Sequence, residues 1–379
     1  MANEDKATRY HRLQRRASIL ATASGAALLI FLVVVGASAA LRSWVIQQTD
    51  FFPFVVAAYV IAVFGLYEVV QLPFAYYQGV TLERRYGLST ETRSHWWRNE
   101  GKAAGLGLLL ATLAALLVLA LVRWSPERWW ILASVAFVGI LVGLAQLAPV
   151  LLMPLFYDFK PLDRPELVER LVALADRAGA QVLGVFEWRL GDRTQKANAA
   201  LAGIGRTRRI LLSDTLLAEH SDDEIEVILA HELAHHVHRD IWAGIALETG
   251  LIALGFFTAD RALTMFAGSF GLEGKGDVAA LPVLLLAAGA ISILFLPIAN
   301  GLSRVHERRA DRYALRVTGN AAAFISAMKR LAAQNLAEER PSRVVEVLLH
   351  SHPSTQARIE AAQRWASDAR LKPGPTTGG

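Results

Sequence analysis

Six stretches of this chain stay apolar for about the 20 residues that a helix needs to cross the hydrocarbon core of a bilayer. They fall at 18–41, 52–72, 103–122, 130–151, 241–257 and 280–299. Lipid offers no partners to backbone N–H and C=O groups, so segments of this kind are restricted to helices that satisfy their own hydrogen bonds. The fifth is the shortest and carries Glu248. The apolar share of the chain is 54% and the charged share 19%, the latter below the roughly 25% of a soluble domain. The expected class is mainly α, a polytopic helical membrane protein of about six spans.

Basic residues set the orientation. The leading arm carries Lys6, Arg9, Arg12, Arg15 and Arg16, and the loop after the second span carries Arg84, Arg85, Arg93, Arg98 and Lys102. The loops after the first and third spans are short and nearly uncharged. The positive-inside rule therefore places both termini, the 79–102 loop and the region between spans four and five in the cytoplasm. The net charge of +5 reads as this loop bias, and no aromatic-basic pattern points to nucleic acid. The arm, the first apolar run and Ala37-Ser38-Ala39 also resemble a secretory signal with its cleavage site, although the run is long for one. Glu68 and Glu248 lie inside spans. They are either satisfied buried acids or the lining of a polar cavity between helices.

The soluble-looking pieces are 156–240 and 301–379. The first reads as a helix over 164–178, strands near 182–190, 197–202 and 208–212, and a second helix opened by the capping box Ser221-Asp222-Asp223-Glu224. That helix contains ILAHELAHHVHRD, residues 228–240. Residues four apart share a helix face about 6 Å apart along the axis, so His231 and His235 can bind one metal ion. Glu232 projects beside the open coordination position, where it can take a proton from water. This is the H-E-x-x-H arrangement of metallopeptidases. The chain has no cysteine, so metal binding rests on His, Asp and Glu. His236 points elsewhere. His238 returns to the same face but lies about 10 Å from His231 along the axis.

A third ligand must come from another segment. Glu248 lies on a different face and inside a span, and Glu273 is on the opposite side of the membrane. Glu307, in SRVHERRADRYAL after the sixth span, is on the same side as His231. Asp311 follows four residues later, on the same face, where it can accept the remaining N–H of a ligating imidazole. Glu307 and Asp311 could instead pair with Arg304, Arg308 and Arg312 as on any exposed helix. The histidine pair's need of a third ligand favours coordination.

Three motifs, HELAH, SRVHERRAD and SHPSTQARI, resemble in sequence and order the type I CAAX prenyl proteases, integral-membrane zinc metalloendopeptidases. LPFAYYQGVTLERRYGLSTET and KANAALAGIGRTRRILLSDTLL resemble the same family. The resemblance implies one zinc ion per chain held by His231, His235 and Glu307, with Glu232 as catalytic base and Asp311 behind the ligands. It implies a gluzincin-like α+β protease domain on the cytoplasmic side, assembled from two chain segments. Asn198 and Ala199 match the strand that lines the family's cleft, where an extended peptide can add to the strand edge. His352 matches the family's His-Pro and could hold the oxyanion. Arg358 could do the same, or could simply hold the C-terminal piece in place. The six spans are one fewer than in eukaryotic members, the first being the one expected to be lacking.

The expected organisation is a membrane domain at 1–156, a catalytic segment at 157–240, spans at 241–300, a second catalytic segment at 301–371 and a disordered tail at 372–379. The expected partners are the lipid bilayer and a peptide or protein substrate, prenylated or membrane-associated substrates included. The expected location is a bacterial plasma membrane. A membrane quality-control protease of the heat-shock type would share the chemistry and differ in substrate. A non-catalytic membrane scaffold with a structural zinc is the alternative of another class.

Overall fold

A computed structural model describes residues 5–203 and 208–371. The tail expected to be disordered lies outside the described residues. The first helix, α1 (Lys6–Val34), stops earlier than the expected 18–41 span because Gly36 takes a left-handed conformation, with φ 73°, which glycine adopts at little cost. The chain re-enters as α2 (Ala37–Gln48), whose Ser38 is buried and hydrogen-bonds Tyr59 and the Ala279 carbonyl, each at 2.6 Å.

The helix α3 (Phe52–Tyr76) runs through a π-helical turn, Tyr77–Leu82, into α4 (Glu83–Tyr86) and ends at Gly87, φ 76°. Gly79 sits in that turn against Trp96; a Cβ there would lie 2.9 Å from the indole Nε1. Next come α5 (Arg93–Trp124), capped by Thr92, and α6 (Trp129–Leu151). The later long helices are α10 (Asp240–Phe266) and α11 (Leu281–Thr318). Among the described residues, five helices are long and apolar enough to cross a membrane. The expected fourth span coincides with α6, whose apolar stretch Trp129–Ala145 is shorter. The fifth is longer than the expected 241–257.

The small sheet lies between spans. Its strands are β1 (Phe159–Pro161), β2 (Val185–Trp188), β3 (Ala199–Ala202) and β4 (Arg209–Ser213), in the order β1-β2-β4-β3. β2 and β4 are parallel, and the outer pairs are antiparallel. β1 has no counterpart in the sequence reading. β3 is an edge strand. The remaining helices of this part are α7 (Pro165–Arg177), α8 (Asp214–Glu219), α9 (Asp222–Val237), α12 (Ala321–Gln334), α13 (Arg343–Leu349), which packs on α11, and α14 (Thr355–Leu371).

A single core joins both catalytic segments. Leu167, Leu171 and Leu174 of α7 meet Ile210 and Leu212 of β4, Ile225, Leu229 and Leu233 of α9, and Phe324 and Met328 of α12. Helix α9 is therefore buried on nearly every face, as an interior helix should be. α11 leaves the apolar bundle and continues unbroken along α9, which carries Glu307 and Asp311 to the histidine pair.

The membrane-side helices also brace the sheet. Lys196 donates to Glu83 Oε1 at 3.0 Å, and Tyr10 of α1 also bonds to Glu83. The segment after α4 bonds along residues 190–195, with Gln195 N donating to the Leu88 carbonyl at 2.9 Å. The Tyr77–Leu82 turn and Glu83 thus support the stretch that leads into β3.

Candidate metal centre

The capping box at Ser221 and Glu224 starts α9 and fixes the phase that sets His231 and His235 on one face. His231 Nδ1 lies 2.9 Å from Asp311 Oδ1, and its Nε2 lies 3.2 Å from Glu307 Oε2. His235 Nδ1 lies 2.9 Å from Asp240 Oδ2, and its Nε2 lies 3.5 Å from Glu307 Oε1. Each imidazole is thus held through Nδ1 by its own carboxylate, and both Nε2 atoms face Glu307. Such carboxylates fix ring orientation and raise ligand basicity.

The ligand atoms of His231, His235 and Glu307 lie within 4.8 Å of one another. The two close pairs match the edge of about 3.4 Å of a tetrahedron with zinc bonds of about 2.1 Å. Glu307 is buried, with the Nε2 atoms of His231, His235 and His352 within 3.5 Å of its carboxylate oxygens, and a buried carboxylate persists only where positive charge balances it. At His231 burial opposes the charged form, but hydrogen bonds to Asp311 and Glu307 outweigh it and hold its pKa up at about 9. The site favours a cation, and its donor set of two imidazoles and one carboxylate fits a catalytic metal.

Glu232 lies in the field of His231, His235, Glu307 and Arg358, and burial raises its pKa above the usual carboxylate range. His352 reaches the same centre from the loop before α14, with Nε2 3.3 Å from Glu307 Oε1. Arg358 lies on the other side of His231. Its Nε donates to Asp311 Oδ2 at 2.9 Å and its Nη2 to Oδ1 at 2.5 Å. Of the two roles weighed for Arg358, this geometry favours holding the C-terminal piece. Asn198 is tied to Ser213 by its backbone, its N donating to the Ser213 side-chain Oγ and its carbonyl accepting from the Ser213 N–H, both at 2.9 Å. Ala199 pairs with Leu212.

Sequence reasoning missed Asp240. It follows Arg239, whose φ of 56° ends α9 and starts α10, and this turn folds Asp240 back onto His235. Arg309 of α11 bonds the same carboxylate. The signal was an acid five residues after the second histidine, but helical spacing does not place it. His238 caps α9 and packs edge-on against Tyr313. Glu248 does not join the centre. It lines, with Glu68, a cavity of about 660 Å³ between the spans.

These features define a membrane-embedded metalloendopeptidase, with a helical bundle carrying an H-E-x-x-H helix and a second helix that brings a carboxylate to its histidines. The chain belongs to peptidase family M48, whose sequence profile matches residues 161–366; the profile described as "CAAX prenyl protease N-terminal, five membrane helices" matches residues 2–158. It is 30% identical to the uncharacterized metalloprotease YhfN of Bacillus subtilis, over 89% of this chain and 80% of that one. It is 29% identical to CAAX prenyl protease 1 of Saccharomyces cerevisiae, over 78% and 69%, and 29% identical to protease HtpX of Legionella pneumophila, over 66% and 95%. The crystal structure of Ste24p from S. mikatae has the same fold, with a TM-score of 0.83 at 22% identity over 94% of this chain and 87% of that one.

Proposed function

We propose that the chain is a zinc-dependent peptidase that cleaves extended peptide segments, in the manner of a CAAX prenyl protease, at the cytoplasmic face of a bacterial plasma membrane. The observation that carries this reading is the pair of imidazole Nε2 atoms, 3.2 and 3.5 Å from the two oxygens of Glu307. One zinc ion held by His231, His235 and Glu307 would polarise the scissile carbonyl and acidify a water molecule. Glu232 takes the proton from that water and returns it to the leaving amine. His352 donates to the carbonyl oxygen as charge builds on it. Asp311, clamped by Arg358, keeps His231 in the tautomer that presents Nε2. β3 aligns the peptide along its free edge, since an extended chain adds to such an edge through main-chain hydrogen bonds; Ala199 begins that strand, and Asn198, whose own N–H and C=O are taken by Ser213, anchors its start. The basic loops at 79–102 and in the N-terminal arm support the cytoplasmic placement.

The likeness to CAAX prenyl protease 1 favours prenylated peptides, and the likeness to HtpX favours quality control of membrane proteins as the second reading. A farnesylated peptide, its unlipidated twin and an unfolded reporter, each with and without chelator, separate the two. Preference for the lipidated peptide supports the first reading, and preference for the unfolded reporter the second. Chelator-resistant cleavage overturns both. Glu232→Gln should keep full metal content and lose turnover by at least about 100-fold. Cleavage at the original rate would remove Glu232 from its role.

A further inference from the structure

Helix α13 is amphipathic with the wrong side out. Val344, Val347 and Leu348, at i, i+3 and i+4, form one helical face, and all three are exposed, Val344 by 67% and Val347 by 51%. Its glutamate is turned inward instead: Glu346 Oε1 accepts from Ser354 N at 3.4 Å. A surface helix of a soluble domain shows the reverse pattern. An exposed apolar face on an ordered helix marks a surface that meets lipid or protein.

The attachment of α13 sets its depth. Asn300 Nδ2 donates to the Leu348 carbonyl at 2.8 Å, and Arg304 Nη1 donates to the carbonyls of Glu346 at 2.8 Å and His350 at 2.5 Å. Both donors lie on α11, just past its apolar run. Asp240, immediately before the apolar run of α10, meets α11 further out, at His306 and Arg309. α13 therefore sits about one helical turn nearer the bilayer centre than the start of α10. At that start, Ile241 and Trp242 are exposed, as interfacial residues are. The exposed face of α11 also runs through Leu294 and Ile298 to Val305 at that level. Arg340, just before α13, and Arg343, its first residue, are exposed, where long cationic side chains can reach lipid phosphates.

We propose that α13 is an interfacial helix whose Val344–Val347–Leu348 face is seated in the lipid leaflet from which α11 emerges. The partner is the bilayer surface itself. Arg304 ties this helix to the His350 carbonyl, at the start of the loop that carries His352, so lipid seating also steadies that loop. Its bearing on catalysis rests on the role proposed for His352; the lipid contact does not.

The chain has no cysteine, so a nitroxide can be attached at one position in each of Val344→Cys, Val347→Cys and Leu348→Cys, with Glu219→Cys as a water-exposed reference. In bilayers of phosphatidylethanolamine and phosphatidylglycerol, the three α13 labels should relax severalfold more with oxygen than with a water-soluble nickel chelate, and the reference should do the opposite. Equal access of the chelate to all four sites overturns the proposal. Exclusion of both reagents, with spectral broadening that grows with protein density, also overturns it, since a second copy would then cover the face. The unaltered chain gives an independent reading. A carbene generated on lipid acyl chains should leave adducts at 344–348 in the tryptic peptide 344–358, and adducts in the spans with none in that peptide overturn the proposal.

Discussion

At the scale of single residues, two carboxylates stand behind the histidine pair. Asp311 and Asp240 hold His231 and His235 through Nδ1. Loss of such a partner lowers metal affinity about 10- to 100-fold, so Asp240→Asn should weaken zinc binding by that amount in a competition titration against a chromophoric chelator. Only one of this pair was legible in advance. Asp311 follows Glu307 by one helical turn, a spacing that sequence displays, whereas Asp240 reaches His235 through the left-handed turn at Arg239, which sequence periodicity does not encode. Glu224 gives a second prediction. Burial disfavours its charged form, but Ser326, the Ser221 N–H and Arg330 more than compensate and lower its pKa. An acid with a lowered pKa contributes stability above its ordinary value near 4.5, and that contribution is lost as pH falls through the lower folded value. The melting temperature of the chain should drop between pH 6 and strongly acidic pH, and Glu224→Gln should reduce that drop while lowering stability at pH 6.

At the scale of elements, α9 is both deeply buried in the core and the carrier of the histidine pair. Leu229 is 1% exposed and lies two residues before His231. Leu229→Ala should cost about 2–5 kcal/mol, visible as a lowered denaturant midpoint. α9 was readable from its capping box, its apolar density and its histidine spacing, all local signals. The break at Gly36, the π turn over Tyr77–Leu82 and strand β1 were not readable. A glycine within an apolar run is common in membrane helices. The π turn sets Gly79 against Trp96, a contact between separate helices that local spacing does not display, and a three-residue strand carries too little periodicity to detect.

At the scale of the whole molecule, the catalytic domain is built from segments on either side of two spans and is stitched to the N-terminal helices. Arg15 pairs with Glu338 at 2.6 Å, and Lys196 pairs with Glu83 at 3.0 Å. The combined change Arg15→Ala and Glu83→Gln should leave metal content intact and speed protease nicking of residues 190–203, followed on a gel over time. Unchanged nicking would show that these ties do not brace β3. The order of the spans was legible because lipid imposes a length rule on every crossing. The docking of the N-terminal arm was not, because it rests on contacts between residues hundreds of positions apart.

α11 holds Pro297 within its length, and a proline there removes one backbone hydrogen bond and makes a natural fulcrum. Glu307 stands ten residues further on, about 15 Å along the axis. On a lever of that length, a bend of about 4° would swing the carboxylate by about 1 Å, so the straightness of α11 through Pro297 is what keeps Glu307 opposite the two imidazoles.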